Sequence, residues 1–101
     1  MNNCVLVGKV KENPTIKETS NGNRLAQLLI TVDRPYKNGD GENDYDTFQI
    51  NLWNAIGEEC LKSVKKDMMV AMRCRLQDNN YERDEGIFYR VELVAEKLIV
   101  L

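Results

Sequence analysis

Three aromatic and three basic side chains in this sequence stand where chemistry with a flexible polyanion is possible. Tyr36 follows an Arg-Pro pair, Trp53 closes an alternating stretch, and Tyr81 lies in a polar run. Arg34 precedes the first of them, and Arg73 and Arg75 alternate with apolar residues ahead of Gln77. An aromatic ring offers a π-face on which a nucleobase can stack, for about 1–3 kcal/mol per base, while Arg and Lys follow phosphates. Thr47, Gln49 and Asn51 alternate with Phe48, Ile50 and Leu52, so they share the strand face that carries Trp53. Such uncharged groups can bond base edges or sugars without adding charge. Carboxylates are absent from Thr47, Gln49, Asn51 and Trp53, and from Arg73, Arg75 and Gln77. A net acidic chain can thereby keep a neutral-to-positive groove.

Each of these residues also has a structural reading. Trp53 could cap the core, Tyr36 could anchor a loop beside Pro35, and Tyr81 could brace a hairpin. Arg73 and Arg75 could simply solubilise an exposed face. Their coincidence on one sheet surface and on both long loops favours binding.

Other chemistries find little support. The chain has no histidine, which removes the usual general base at neutral pH and the commonest metal ligand. Its 16 acidic residues form no recognisable catalytic pair. Cys4, Cys60 and Cys74 are odd in number, lack CxxC spacing and sit in apolar contexts. They are expected to be reduced core residues rather than a disulfide framework or a zinc site. No catalytic residue, metal or cofactor is expected. With 101 residues, 43% apolar and 30% charged, the chain is expected to form one domain over 1–101. Net charge is −2 and pI about 5.2, so placement of the basic residues matters more than their total. No apolar run approaches a membrane span, and the N-terminus lacks a leader pattern, so a cytoplasmic location is expected.

The elements that must position these side chains follow from periodicity. A first strand is predicted over Asn3–Val10, with Gly8 marking a bulge or bend. Pro14 and Asn21-Gly22 predict a turn, with a hairpin around Ser20–Asn23. The second strand is Arg24–Asp33, with Ala26, Leu28, Ile30 and Val32 inward and Leu25 and Leu29 on the other face. A polar loop follows, Arg34–Asp44, and then the third strand leading to Trp53. Asn54–Lys66 is predicted as a helix: Asn54 as N-cap, an apolar stripe through Ile56, Cys60 and Val64, and a Glu58–Lys62 pair. The fourth strand is Met69–Gln77, the second polar loop Asp78–Gly86, and the fifth strand Tyr89–Leu101. Five strands with one α-helix between the third and fourth are the element list of a β-rich (all-β) OB-fold, a five-stranded Greek-key barrel.

The ordered series of motifs resembles the bacterial-type single-stranded DNA-binding protein family over essentially the whole chain. "MNNCVLVGKVKENP" resembles the family's opening, and "SNGNRLAQLLITVDRPY" its hairpin and second strand closed by a basic residue, proline and an aromatic. "FQINLWNAIGEECLKSVKKD" resembles its third strand and helix, and "CRLQDNNYERDEG" its fourth strand and second DNA-embracing loop. The resemblance implies an OB-fold that binds single-stranded DNA with little sequence preference, without catalysis, in replication, recombination or repair. It implies assembly as a homotetramer, or a homodimer, with subunits pairing through the first strand; exposed Leu25 and Leu29 suit such an interface. By position, Tyr36, Trp53 and Tyr81 match the family's stacking aromatics, and Arg34, Arg73 and Arg75 fit phosphate contacts. Thr47 departs from the pattern, standing where the family commonly has a stacking aromatic. Asp67 and Cys74 stand where glycines are common. The flexible acidic tail that recruits replication and repair proteins is absent from these 101 residues, through truncation or as a short variant, so recruitment by that route is not expected. Two alternatives stay open: an OB-fold assembly module without DNA affinity, which the Thr47 departure and the acidic pI favour, and a primosome-type or RNA binder.

Overall fold

Alternation at period two builds the wall of a barrel. The computed structural model describes residues 1–101. Its elements are β1 (Cys4–Val10), β2 (Thr15–Glu18), β3 (Arg24–Lys37), β4 (Asn43–Trp53), α1 (Asn54–Ser63), β5 (Met69–Asp78), β6 (Tyr81–Arg83), β7 (Gly86–Phe88) and β8 (Val91–Val100). Leu28 and Ile30 on β3, Ile50 and Leu52 on β4, and Val70 and Met72 on β5 point inward and are fully buried. Each such side chain contributes about 1.5–3 kcal/mol. Phe48 packs half-buried against the same core, as its place in the alternation predicts.

The strands follow the order β1-β5-β8-β4-β3, and β1 also pairs with β3 to close the barrel. All neighbours are antiparallel except β4 and β8. With α1 between β4 and β5, this is the five-stranded OB-fold. Closure happens at one corner of β1. Cys4–Lys9 pair with β5, and Lys9 and Val10 pair with β3. Gly8 sits at that corner because a Cβ there would lie 2.7 Å from the Thr31 carbonyl oxygen. Helix α1 lies against β3, β4 and β8, with buried Gly57 and Cys60. Burial pushes the Cys60 and Cys74 thiols up to about 11, so both stay protonated as core residues. No helix is long and apolar enough to cross a membrane.

Local chemistry moves several boundaries. The stretch 34–44 is not a long loop: β3 runs on to Lys37, β4 starts at Asn43, and a bulge accommodates Arg34–Tyr36. Asn38 makes the tight turn possible, its Oδ1 accepting the N–H groups of Asp40 and Glu42. The second polar stretch likewise contains a hairpin, β6–β7, and the last strand starts at Val91 rather than Tyr89. The helix ends at Ser63 because Val64 is extended and buried in the core. Asn54 does not cap it. Its φ is +53°, and its side-chain oxygen accepts the Arg24 N–H at 3.0 Å, tying the helix start to β3. Glu58 pairs with Arg24 instead of Lys62. Leu25 is not an exposed interface residue: lying between Trp53 and Lys17 in the sheet, it is only 6% exposed. Leu29 is half-buried.

Candidate nucleic-acid interface

The outer face of β3 and β4 carries five cross-strand pairs: Leu25–Trp53, Gln27–Asn51, Leu29–Gln49, Thr31–Thr47 and Asp33–Tyr45. Two depressions open onto it. One, about 320 Å³, lies among Trp53, Asn51, Asn79, Arg90 and Glu92; the other, about 170 Å³, lies among Glu12, Asn13, Thr15 and Leu29. Both are lined by Gln27 and Gln49, so they form one track across the two strands. Trp53 walls its end, half-buried at the point where β4 gives way to α1.

The floor is a chain of polar groups that crosses four strands. Gln27 Nε2 donates to Asn51 Oδ1 at 3.5 Å, and Asn51 Nδ2 donates to Glu92 Oε2 at 2.9 Å. Gln77 Nε2 donates to the other oxygen of Glu92 at 3.0 Å, while Arg75 Nη2 donates to Gln77 Oε1 at 3.2 Å. Asn51 is 7% exposed, so these partners satisfy an otherwise costly buried amide. A carboxylate therefore does enter this face, from the last strand, although strands β4 and β5 contribute none. Arg90, which lines the same depression as Gln49, is the further cation of the site.

Two hairpins flank the track. On β3–β4, Tyr36 is 60% exposed. Beside it, Arg34 is held by Asp46: Nη2 to Oδ1 at 2.8 Å, and Nε to both oxygens at 3.2 Å. The hydrogen bond from Arg34 holds the Asp46 carboxyl below its ordinary range, and Asp46 raises the guanidinium in turn. Arg34 thus enters the site with its fork taken. On β6–β7, Tyr81 is half-buried and stacks on Phe88, with ring centroids 5.1 Å apart and planes 12° apart. Arg83 and Arg90 place guanidiniums 5.0 and 5.6 Å from the same ring. Tyr81 therefore braces its hairpin, while Phe88 and Tyr89 are its exposed rings.

Gln49, Asn51 and Trp53 are thus brought together, and Arg75 joins them through Gln77 and Glu92. Tyr36 and Arg34 stand on one flanking hairpin and Tyr81 on the other. Arg73 lies apart, between Val5 of β1 and Lys97 of β8. Gln27, Tyr45, Arg90 and Glu92 are residues of this face and its rim that strand patterning overlooked. Tyr45 continues the parity of Thr47 to Trp53, a signal available in the alternation itself.

A closed five-stranded OB barrel with a polar track beside its flanking hairpins defines a class of ligand-binding OB domains. Within that class the chain belongs to the single-strand binding protein family, whose sequence profile matches residues 1–101. It is 35% identical over 99 residues to single-stranded DNA-binding protein 3 of Listeria innocua, covering 97% of this chain and 62% of that relative. It is 31% identical over 96 residues to single-stranded DNA-binding protein B of Bacillus subtilis, covering 94% of this chain and 85% of that one. The Plasmodium falciparum SSB solved in complex with single-stranded DNA shares the fold, with a TM-score of 0.80 at 19% identity. That match covers 100% of this chain and 95% of the Plasmodium chain.

Proposed function

We propose that this chain binds single-stranded DNA along the β3–β4 track, as a non-catalytic protein acting in DNA replication, recombination or repair in a cytoplasmic setting. The observation that carries the reading is the track itself: a floor of Gln27, Gln49 and Asn51 ending at Trp53. Uncharged amides tolerate any base edge, and a ring at the end stacks any base, which suits binding without sequence preference. Arg75, Arg90 and the exposed rings of the two hairpins extend the contact beyond the track.

The chain works as one unit that self-associates, as a homotetramer or homodimer. The outer edge of β1 has no strand partner over Cys4–Gly8. Val5 is 66% exposed there, and the register sets Val7 beside Ala71 and Ala71 beside Ile99, an apolar row across three strands. Light scattering tests this part, and a monomer at micromolar concentration overturns it.

Titration of Trp53 fluorescence with oligo(dT) at two salt concentrations tests the site. Quenching, with affinity falling by about 0.7 log units per phosphate contact for each log unit of salt, is expected. Trp53→Ala is expected to lose about 1–3 kcal/mol of binding. Absence of both quenching and binding at low salt overturns the reading.

A further inference from the structure

We propose that Tyr45 is a second base-stacking platform of β4, beside Trp53 and two residues outside Thr47; the proposal rests on the single-stranded DNA reading above. Tyr45, Thr47, Gln49 and Trp53 share one parity on β4, and the pairings Asp33–Tyr45, Thr31–Thr47 and Leu29–Gln49 place them on the face of the track. Tyr45 is 60% exposed. Its ring carries no stacked aromatic and no overlying guanidinium, since those contacts converge on Tyr81. Its neighbours across and along the face are Asp33, Thr31 and Thr47, none of which offers a π-surface.

The segment that carries Tyr45 is held in place. On one side Asp46 grips Arg34 of β3 in a two-pronged pair. On the other, Asp44 Oδ1 accepts from Asn38 Nδ2 at 3.1 Å, and Asn38 Oδ1 pins the turn. An exposed ring on a braced hairpin loses little freedom when a base stacks on it, which is what makes a ring an effective platform. Moving the platform from 47 to 45 also lengthens the track. Tyr45 and Trp53 are separated by about 27 Å along the strand, against about 20 Å for a ring at Thr47, from a rise of about 3.4 Å per residue. The difference, roughly 7 Å, extends the stretch of strand a bound base can be stacked along.

The test is fluorescence anisotropy of labelled oligo(dT) with the full chain, Tyr45→Ala and Tyr45→Phe, at several salt concentrations. Tyr45→Ala is expected to weaken binding about 5- to 150-fold, with an unchanged salt slope because no phosphate contact is lost. Tyr45→Phe is expected to stay within about two-fold of the parent, since the stacking face is kept. Parent binding with Tyr45→Ala unaffected overturns the platform and leaves the site reading standing. Equal losses in Tyr45→Ala and Tyr45→Phe also overturn it, because the hydroxyl would then be the contact. A parent chain that does not bind oligo(dT) overturns the site reading and this proposal together.

Discussion

Replacing Asp46 by Asn should convert Arg34 from a structural brace into a phosphate contact. In the folded chain Arg34 spends two nitrogens on Asp46, at 2.8 and 3.2 Å, so its charge reaches the track already balanced. Asp46→Asn keeps the shape and one acceptor but removes the opposing charge, and the net charge of the chain moves from −2 to −1. Arg34 precedes Pro35 and exposed Tyr36, so the freed guanidinium lies beside a candidate stacking ring. One added phosphate contact steepens the dependence of log K on log salt by about 0.7 for a single strand. Between 50 and 200 mM salt, a four-fold change, that amounts to roughly a further 2.6-fold loss of affinity, set against tighter binding at the low-salt end.

Anisotropy titrations of oligo(dT) across that salt range measure both quantities. Arg34→Met in the parent supplies the control: because the fork is already occupied, its slope should barely change. An unaltered slope in Asp46→Asn, or a slope that falls by about 0.7 in Arg34→Met, refutes the reasoning. The same pair has a pH signature. The Asp46 carboxyl titrates below its ordinary 3.8 in the folded chain, held down by the hydrogen bond from Arg34. Its stabilising contribution is therefore complete above that value and lost as pH falls through the lower folded value. The stabilities of the parent and Asp46→Asn should accordingly draw together as pH falls below 3.8 and meet below the folded value.

Gly57→Ala should destabilise the fold although helix propensity alone favours alanine by about 1 kcal/mol. A Cβ at this position would lie 2.5 Å from the Leu52 carbonyl oxygen and 3.2 Å from Ala26 Cβ. Overpacking of about 3 kcal/mol against backbone leaves a net loss of about 2 kcal/mol in urea unfolding; an unchanged or raised midpoint contradicts this. Asp67, at φ +74°, occupies backbone that favours glycine, so Asp67→Gly should match or exceed the parent in thermal stability. Asp67→Val should fall about 1–2 kcal/mol below Asp67→Gly, and equal stability of the two would contradict that account of strain. Glu92→Gln should move two measurements in opposite directions. Two amide donors lose their shared carboxylate, lowering stability by about 1 kcal/mol, while removal of a negative charge from the track raises affinity for oligo(dT) at low salt. Weaker binding in Glu92→Gln would show that the orientation of the amides outweighs the charge.

The barrel was legible because its signals are local and repeated. Phe48–Leu52 alternates cleanly, and Ala26–Val32 and Val70–Cys74 keep an unbroken apolar inner face despite Leu29 and Ala71 on the outer one; this pattern, with one helix in the order, points to the barrel. The hairpins were less legible. Arg34–Asp44 has loop composition, and only the Asn38 side chain, accepting two backbone N–H groups, turns it into a tight reversal between extended strands. Asn54 had the right type for a helix cap, but a nonlocal acceptor role toward Arg24 claimed its side chain. The site was legible where it lay on one strand, as with Gln49, Asn51 and Trp53. Pairing across strands was not: nothing near Arg34 in sequence distinguishes Asp46 from Asp33, Asp40 or Asp44 as its partner. Glu92 was missed for the same reason, since its role depends on β8 lying beside both β4 and β5.

The presence of Glu92 in a track for a polyanion has a physical logic. An amide has a donor end and an acceptor end, and a row of free amides would point both ways toward a ligand. Glu92 accepts from Asn51 and Gln77, which fixes their nitrogens toward β8 and directs Gln77 Oε1 to Arg75. Its negative charge is then opposed by Arg75 through one intervening amide, so the floor carries little net charge where the proposed DNA strand would lie. Arg34 and Asp46 cancel on one hairpin in the same way, and Arg24 and Glu58 cancel beside the helix. Three acidic residues around the track, Glu92, Asp46 and Glu58, are thus spent on orienting its amides and bracing its edges, while Glu12 lines the smaller depression with no cation or amide on it. That is how a chain of net charge −2 can present a stacking surface that does not repel phosphate. It also assigns most of the affinity to rings rather than charges, so binding should tolerate salt better than in proteins that hold nucleic acid by charge alone.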